Sequence, residues 1–321
     1  MALLLTENEV VELFPMQLAI ERVQASFGAQ NHRVAVNRAR ERIFLPDLSL
    51  HYMAAALPEE KVLGMKIYTV AGNNIRFVVL LFDAGSGDLL AIIEADQLGR
   101  IRTGAASGVA TRFMARGDAT RVGMVGTGRQ ARTQLEAVAH VRELTGVRVF
   151  GRDPKRLSEC CREMSEKLLL AVEPAESAEA AVRFGDIVIT ATSASSPVVQ
   201  GDWIQPGAHL NIIGANMPVR REVDTRTLER AGTIAVDSLE QAKKEAGDLI
   251  HGLAERAGGW EGILELHEIV AGARPGRSGA GEITIFKSCG IALWDVAAAA
   301  VIYREARRLG KGGEIALWQG Q

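Results

Sequence analysis

The spacing of apolar and polar positions changes twice along the chain. After Thr6-Glu-Asn-Glu9, a capping-box pattern, apolar residues recur at helical spacing, and a second helical stretch is predicted over 16–30. Residues 42–45, 50–53, 62–70 and 77–82 form short strand-like runs. The last of these meets the turn signal Asp83-Ala-Gly-Ser-Gly87, and another run follows at 89–93. This part predicts an antiparallel sheet with helices at one side, and 95–115 predicts one long helix. Beyond Arg116-Gly-Asp-Ala-Thr-Arg121 the pattern becomes strands alternating with helices. Strands are predicted at 121–125, 147–150, 187–191, 209–214 and 233–236, with helices at 130–144, 154–168 and 177–184. That alternation is the signature of a parallel sheet built from βαβ units, so the fold class is α/β. An apolar helix over 291–309 is expected to return to the first part. The predicted domains are therefore 1–115, completed by 291–321, and 116–290.

The length of 321 residues accommodates two such domains. A net charge of −2 lacks the footprint of a general nucleic-acid binder. Cys160, Cys161 and Cys289 form no C-x-x-C pair, and the six histidines show no metal-binding spacing, so neither a disulfide framework nor a metal is expected. The first residues carry no basic segment and do not read as a signal peptide. No stretch approaches the roughly 20 apolar residues of a membrane span. A cytoplasmic setting without membrane partners is expected. Ser107 and Ser193 have no evident base partner and no G-x-S-x-G elbow, which leaves nucleophilic catalysis without support.

The strongest local motif is Val122-Gly-Met-Val-Gly-Thr-Gly-Arg-Gln-Ala131. It places Gly126-x-Gly128-x-x-Ala131 between a predicted strand and a predicted helix. The first glycine makes the turn, the second admits a pyrophosphate to the backbone, and the small third residue lets helix and strand close up. Dinucleotide binding is the reading. At the end of the next strand an acid would bind the ribose 2′-hydroxyl of NAD. The sequence there is Val149-Phe-Gly-Arg-Asp-Pro-Lys-Arg156, with Gly151 at the expected acid position and Arg152 next. A missing acid and an added cation favour the 2′-phosphate of NADPH over NADH. Asp153 is either the ribose acid or the N-cap of a helix beginning at Pro154.

Three further polar features stand out. Lys66 lies inside the apolar run Leu63-Gly-Met-Lys-Ile-Tyr-Thr-Val70, where it is either paired and functional or an edge-strand lysine facing solvent. Arg102 precedes the small residues Gly104, Ala105 and Ala106, and either reaches a pocket or belongs to a solvated helix face. Arg38, Arg40 and Arg42 alternate, and share one face if the segment is extended. Any of them is suited to a bidentate grip on a carboxylate.

Several segments, in order, resemble the ornithine cyclodeaminase / μ-crystallin family over nearly the whole chain. They are Ala35-Val-Asn-Arg38, Gly64-Met-Lys66, Leu80 to Ala91, Arg102-Thr-Gly-Ala-Ala-Ser107 and Gly126-Thr-Gly-Arg-Gln-Ala131. Pro206 to Gly214, Glu245-Ala-Gly-Asp248 and Ile285-Phe-Lys-Ser-Cys-Gly290 follow. The resemblance implies a homodimer with a Rossmann-fold NAD(P)-binding domain and a split α+β domain for substrate binding and dimerisation. It implies hydride transfer between a nicotinamide and an α-amino acid or its imine. By position, Arg38, Lys66 and Arg102 would bind the α-carboxylate. Cofactor contacts would come from Thr103, Gly126, Thr127, Gly128, Arg129, Gln130, Ala131, Gly151, Arg152, Asp153, Thr192, Ser193, Gly214, Lys287 and Ser288.

The departures bear on the reaction. Cyclodeaminases of the family carry an Asp where this chain has Asn216, and Asn cannot act as a general base. The family's Met-Pro-Ala is Met53-Ala54-Ala55 here, and the first alanine of its Arg-Thr-Ala-Ala is Gly104. The expected activity is reduction of a small anionic cyclic ketimine such as Δ1-pyrroline-2-carboxylate or Δ1-piperideine-2-carboxylate. Lys66 is the expected proton relay, with Asn216 orienting, and Glu245 and Asp248 as acid or orienting groups unless they lie on a solvated helix end. Ornithine cyclodeamination, an alanine-type amino acid dehydrogenase and a non-catalytic nucleotide-binding protein are the alternatives.

Overall fold

The computed structural model describes residues 1–31, 34–72, 74–254 and 258–317. The chain forms two compact units, one from Met1–Arg102 with Gly290–Gln321 and the other from Thr103–Cys289.

The first unit is built on an eight-stranded sheet. Its order is Gly313–Ile315, Ala2–Leu5, Leu89–Glu94, Asn74–Asp83, Val62–Ala71, Ser49–Leu57 and Val36–Asn37, with Glu41–Phe44 also paired to Ser49–Leu57. The central ladders are antiparallel, as the alternating runs predict. Ala2–Leu5 adds a parallel pair with Leu89–Glu94, which the sequence reading did not include. Burial along Ser49–Leu57 alternates strictly, so His51, Met53, Ala55 and Leu57 share the inner face. That face is covered by the helix Ala292–Leu309. Gly64 lets the helix approach: a Cβ there would lie 2.5 Å from Leu80 O and 3.3 Å from Val296 Cγ2. The apolar helix expected over 291–309 spans Ala292–Leu309, but it does not fill the 291–321 segment expected to complete this unit. It ends at Leu309 because Gly310 adopts the left-handed conformation (φ +65°), and the chain then returns as the edge strand Gly313–Ile315. Residues 318–321 of that expectation lie outside the described residues.

The second unit is a parallel sheet. Its order is Val172–Pro174, Gly146–Phe150, Arg121–Val125, Ile187–Thr190, His209–Ile212, Ile283–Lys287, Ala231–Val236 and Leu264–Glu265. Its central strands are buried on both faces, which is why they read as continuous apolar runs. Chain order reverses between Arg121–Val125 and Ile187–Thr190, a switch point at whose carboxyl edge ligands bind in such sheets. The helix after the glycine loop spans Arg129–Ala139 instead of 130–144. Beyond it, Arg142 turns aside to donate to the carbonyls of Thr111 and Ala115.

The helix Asp96–Met114 runs through the division between the units, which falls at Arg102/Thr103 and not at 115/116. The physical reason is pairing. Arg102 is tied to Asp295 in the first unit, whereas Thr111 Oγ1 accepts from Asn211 Nδ2 in the second.

Candidate active site

In the first unit, Lys66 and Arg102 converge on a residue the sequence reading did not single out. Asp295, in the first turn of Ala292–Leu309, has no exposed surface. Arg102 grips it bidentately, Nε to Oδ1 at 3.0 Å and Nη2 to Oδ2 at 3.1 Å. Lys66 Nζ donates to the same Oδ1 at 3.0 Å. Burial alone would raise the Asp295 pKa, but Arg102 and Lys66 outweigh it and hold the carboxyl below its usual range.

Lys66 is 4% exposed, which excludes the solvent-facing reading. Its ammonium lies 5.1 Å from the centroid of Phe77, beside a row of rings in which His51 stacks on Tyr68 and Tyr68 meets Phe77 at a tilt of 36°. Burial pushes the Lys66 pKa down to about 8; Asp295 works against that, and Arg102 and Arg40 add to it. Lys66 can therefore exchange a proton near neutral pH, which an exposed lysine cannot do.

Arg102 is equally buried, so it does not belong to a solvated helix face. Among the described residues its Nη1 has no hydrogen-bond partner. Gly290, at φ +78°, makes room for it: a Cβ there would sit 2.6 Å from Nη1. The guanidinium also lies over the Trp294 ring. A buried guanidinium with one vacant donor is suited to an anion.

The alternating arginines do not share a face. The segment leaves extended pairing between Asn37 and Glu41, so Arg38 is exposed while Arg40 is buried. Arg40 Nη2 donates to Gly290 O at 3.3 Å, beside Arg102, and Arg42 Nε donates to His51 Nδ1 at 3.2 Å. The cluster on Asp295 therefore has Arg40 at its side. Arg38 N–H bonds Ala54 O, next to Met53, which faces Lys66 across the ladder.

In the second unit the glycine loop and the loops carrying Gly151, Thr192 and Gly214 follow strands at the carboxyl edge of the sheet. Gly126 (φ +121°) follows Arg121–Val125, and a Cβ there would lie 2.4 Å from Ala191 O. Gly128 caps Arg129–Ala139, and nothing lies within 4 Å of the Cβ position. Ala131 is fully buried against the sheet, Gln130 is half-buried, and Arg129 is exposed. This cradle fits a pyrophosphate at a helix N-terminus. Gly151 is fixed by Thr127, whose Cγ2 would be 2.5 Å from a Cβ. Asp153 serves as the N-cap of Pro154–Leu168, its Oδ1 accepting from Lys155 and Arg156 N–H. Arg152 is exposed, as is Ser193, and Thr103 is buried.

Four of the expected site residues are engaged inside the second unit. Lys287 has no exposed surface, pairs with Asp248 Oδ2 at 3.1 Å and donates to Ala215 O. Ser288 donates to Asp237 Oδ2 at 3.0 Å. Asp248 and Glu245 are fully buried, so neither lies on a solvated helix end. Asp248 Oδ1 accepts from Glu222 and Val223 N–H, and Glu245 accepts from Gln241, which makes both internal anchors and not free acids. Thr192 donates its hydroxyl to Glu222, and Gly214 donates its N–H to the same carboxylate. Asn216, half-buried, follows on that loop. Sequence reading did not single out Glu222, which follows Arg220 and Arg221 in an otherwise unremarked loop. Among the described residues no group of three His, Cys, Asp or Glu is placed to hold a metal.

The two units thus define a dinucleotide-binding protein with a buried cationic cluster in a separate α+β unit. The chain belongs to the ornithine cyclodeaminase/mu-crystallin family, whose profile matches residues 1–310. A Δ1-pyrroline-2-carboxylate reductase of Bacillus cereus is 35% identical over 263 residues, 79% of this chain and 81% of the relative. The solved structure of Thermococcus litoralis Δ1-pyrroline-2-carboxylate reductase with NADH and L-proline superposes with a TM-score of 0.94 at 36% identity, covering 98% of this chain and all of that one. A dimeric archaeal alanine dehydrogenase with bound NAD gives 0.93 at 30% identity, over 99% of both chains. Among the described residues no helix is long and apolar enough to cross a membrane.

Proposed function

We propose that the chain is an NAD(P)H-dependent oxidoreductase acting on C=N bonds, reducing cyclic ketimine carboxylates such as Δ1-pyrroline-2-carboxylate. The observation that carries this reading is the buried Arg102–Asp295–Lys66 cluster with its vacant Arg102 Nη1 donor. Arg102 Nη1 and the Lys66 ammonium take the α-carboxylate, and exposed Arg38 closes over it. Fixing the carboxylate orients the adjacent imine carbon. The imine nitrogen must gain a proton as the α-carbon gains hydride, and Lys66, poised near pH 8, supplies it. When bound, the nicotinamide supplies the hydride. The residues that would hold the dinucleotide are the Gly126–Gly128 loop, the first turn of Arg129–Ala139, and the Thr192 and Gly214 loops.

Asn216 favours reduction over cyclodeamination, because it offers no carboxylate to take a proton during ring closure. NADPH is favoured over NADH. Thr127 closes the Gly151 position to an acid, Asp153 is engaged as an N-cap, and Arg152, Lys155 and Arg156 are exposed beside them. We further propose a homodimer. Val36, Ile43, Phe44, Leu45 and Leu63 leave apolar side chains exposed on the first unit, which a second copy would cover.

The test is oxidation of NADPH and NADH with Δ1-pyrroline-2-carboxylate and Δ1-piperideine-2-carboxylate, alongside ornithine with NAD. Imine-dependent oxidation without ammonia from ornithine supports the reading. Ammonia and proline from ornithine would replace it with cyclodeamination.

A further inference from the structure

The loop carrying Asn216 is fastened at both ends by three fully buried side chains: its own Glu222, Asp248 from Gly247–Gly252 and Lys287 from Ile283–Lys287. Glu222 Oε2 accepts from Gly214 N–H at 2.6 Å and Thr190 Oγ1 at 3.0 Å, while its Oε1 accepts from Thr192 N–H at 2.7 Å and Thr192 Oγ1 at 2.8 Å. Lys287, at the end of Ile283–Lys287, donates to Ala215 O at 2.5 Å and pairs with Asp248. Asp248 in turn holds Glu222 and Val223 N–H at 2.6 and 3.0 Å. Every bond of this circuit ends on the Asn216 loop, on the neighbouring Thr190–Thr192 loop or on another member of the circuit. Both loops follow central strands at the carboxyl edge of the sheet. The middle of the loop is pressed closely too: a Cβ on Gly247 would lie 2.1 Å from Arg220 O and 2.6 Å from Pro218 O.

Three buried charges are a poor source of stability, since apolar groups of the same volume often do as well or better. What they supply is a single loop geometry, because the donors and acceptors are satisfied in only one arrangement. We propose that Glu222, Asp248 and Lys287 act as positioning residues that hold the Asn216 and Thr192 loops in the shape required for hydride transfer, without touching substrate. The inference rests on the reductase reading for its functional part; the fastening of the loop is independent of it.

Glu222→Gln is the decisive variant. It keeps the shape but turns an amide N–H₂ toward donors that now face a carboxylate oxygen. Amide exchange across 214–223 is expected to rise at least tenfold, with exchange in Arg129–Ala139 unchanged. Affinity for ADP-ribose, which lacks the nicotinamide ring, falls less than tenfold, because the Gly126–Gly128 loop and the first turn of Arg129–Ala139 lie outside the circuit. Single-turnover hydride transfer to Δ1-pyrroline-2-carboxylate falls at least 30-fold. Unchanged exchange across 214–223 overturns the proposal, and so does raised exchange with hydride transfer within threefold of wild type. If Glu222→Gln loses ADP-ribose binding altogether, the charge-balanced pair Lys287→Met with Asp248→Asn is measured against the same expectations. Wild-type protein that reduces no cyclic imine removes the reductase reading, and the exchange data then decide the fastening alone.

Discussion

Arg102 holds Asp295 by two hydrogen bonds, Nε–Oδ1 at 3.0 Å and Nη2–Oδ2 at 3.1 Å, with both side chains buried. The same carboxylate binds Lys66, so one acid sets the position of two cations and the proton affinity of one. Asp295 raises the Lys66 pKa against the depression from burial and from Arg102 and Arg40. In Asp295→Asn the depression is unopposed. If protonated Lys66 is the donor, wild-type kcat/KM falls as pH rises through about 8. The variant's alkaline limb should move at least one pH unit lower. A pH–rate profile checks this, and an unmoved limb removes Asp295 from the proton chemistry.

Lys66→Met tests the donor itself. Met fills the same apolar slot and leaves Asp295 paired with Arg102, so the fold should survive. Loss of a general acid lowers turnover by about a hundred- to ten-thousand-fold. Cofactor affinity should change less than twofold, since the glycine loop belongs to the other unit. Titration of NADPH fluorescence beside steady-state rates separates the two quantities, and retained turnover would take Lys66 out of the mechanism.

These two residues show how far the sequence carried. Lys66 was legible because a charge in an apolar strand run is expensive wherever it lies. Gly126, Gly128 and Ala131 were legible because their roles are local. Asp295 carried the same signal as Lys66, an acid in the apolar stretch Ala292 to Ile302, yet its partners lie 193 and 229 residues away. Whether Arg38 and Arg40 share a face depended on the segment being extended, and the break in pairing after Asn37 leaves no mark in composition. The pairing of Lys287 with Asp248 was not legible, because the two charges lie on different elements and local spacing does not report a partner so far along the chain.

Cofactor choice can be read at Arg152. If its guanidinium meets a 2′-phosphate, Arg152→Ala loses a charge-assisted hydrogen bond worth about 1.5–3 kcal/mol, or roughly 10- to 150-fold in affinity. kcat/KM for NADPH should fall by that order while the NADH value moves less than threefold. A parallel fall with both cofactors would mean that Arg152 serves the fold, and equal wild-type efficiencies would remove the NADPH preference.

Acid sensitivity should trace in part to His209. It is fully buried in the parallel sheet, with Nδ1 2.9 Å from Thr284 Oγ1. Burial, with help from Arg277 and Arg142, pushes its pKa down to about 3 from 6.5. Between those values the unfolded chain binds a proton that the folded chain refuses. Stability contributed by neutral His209 is therefore complete above pH 6.5 and is lost as pH falls toward 3, at up to about 1.4 kcal/mol per unit. His209→Asn keeps a polar partner near Thr284 and does not titrate. The variant should be the less stable protein at pH 7, and the gap to wild type should shrink by about 2 kcal/mol at pH 5, the roughly 1.5 units between 6.5 and 5 at about 1.4 kcal/mol each. Urea unfolding at both pH values measures it, and a gap independent of pH would place the acid sensitivity elsewhere.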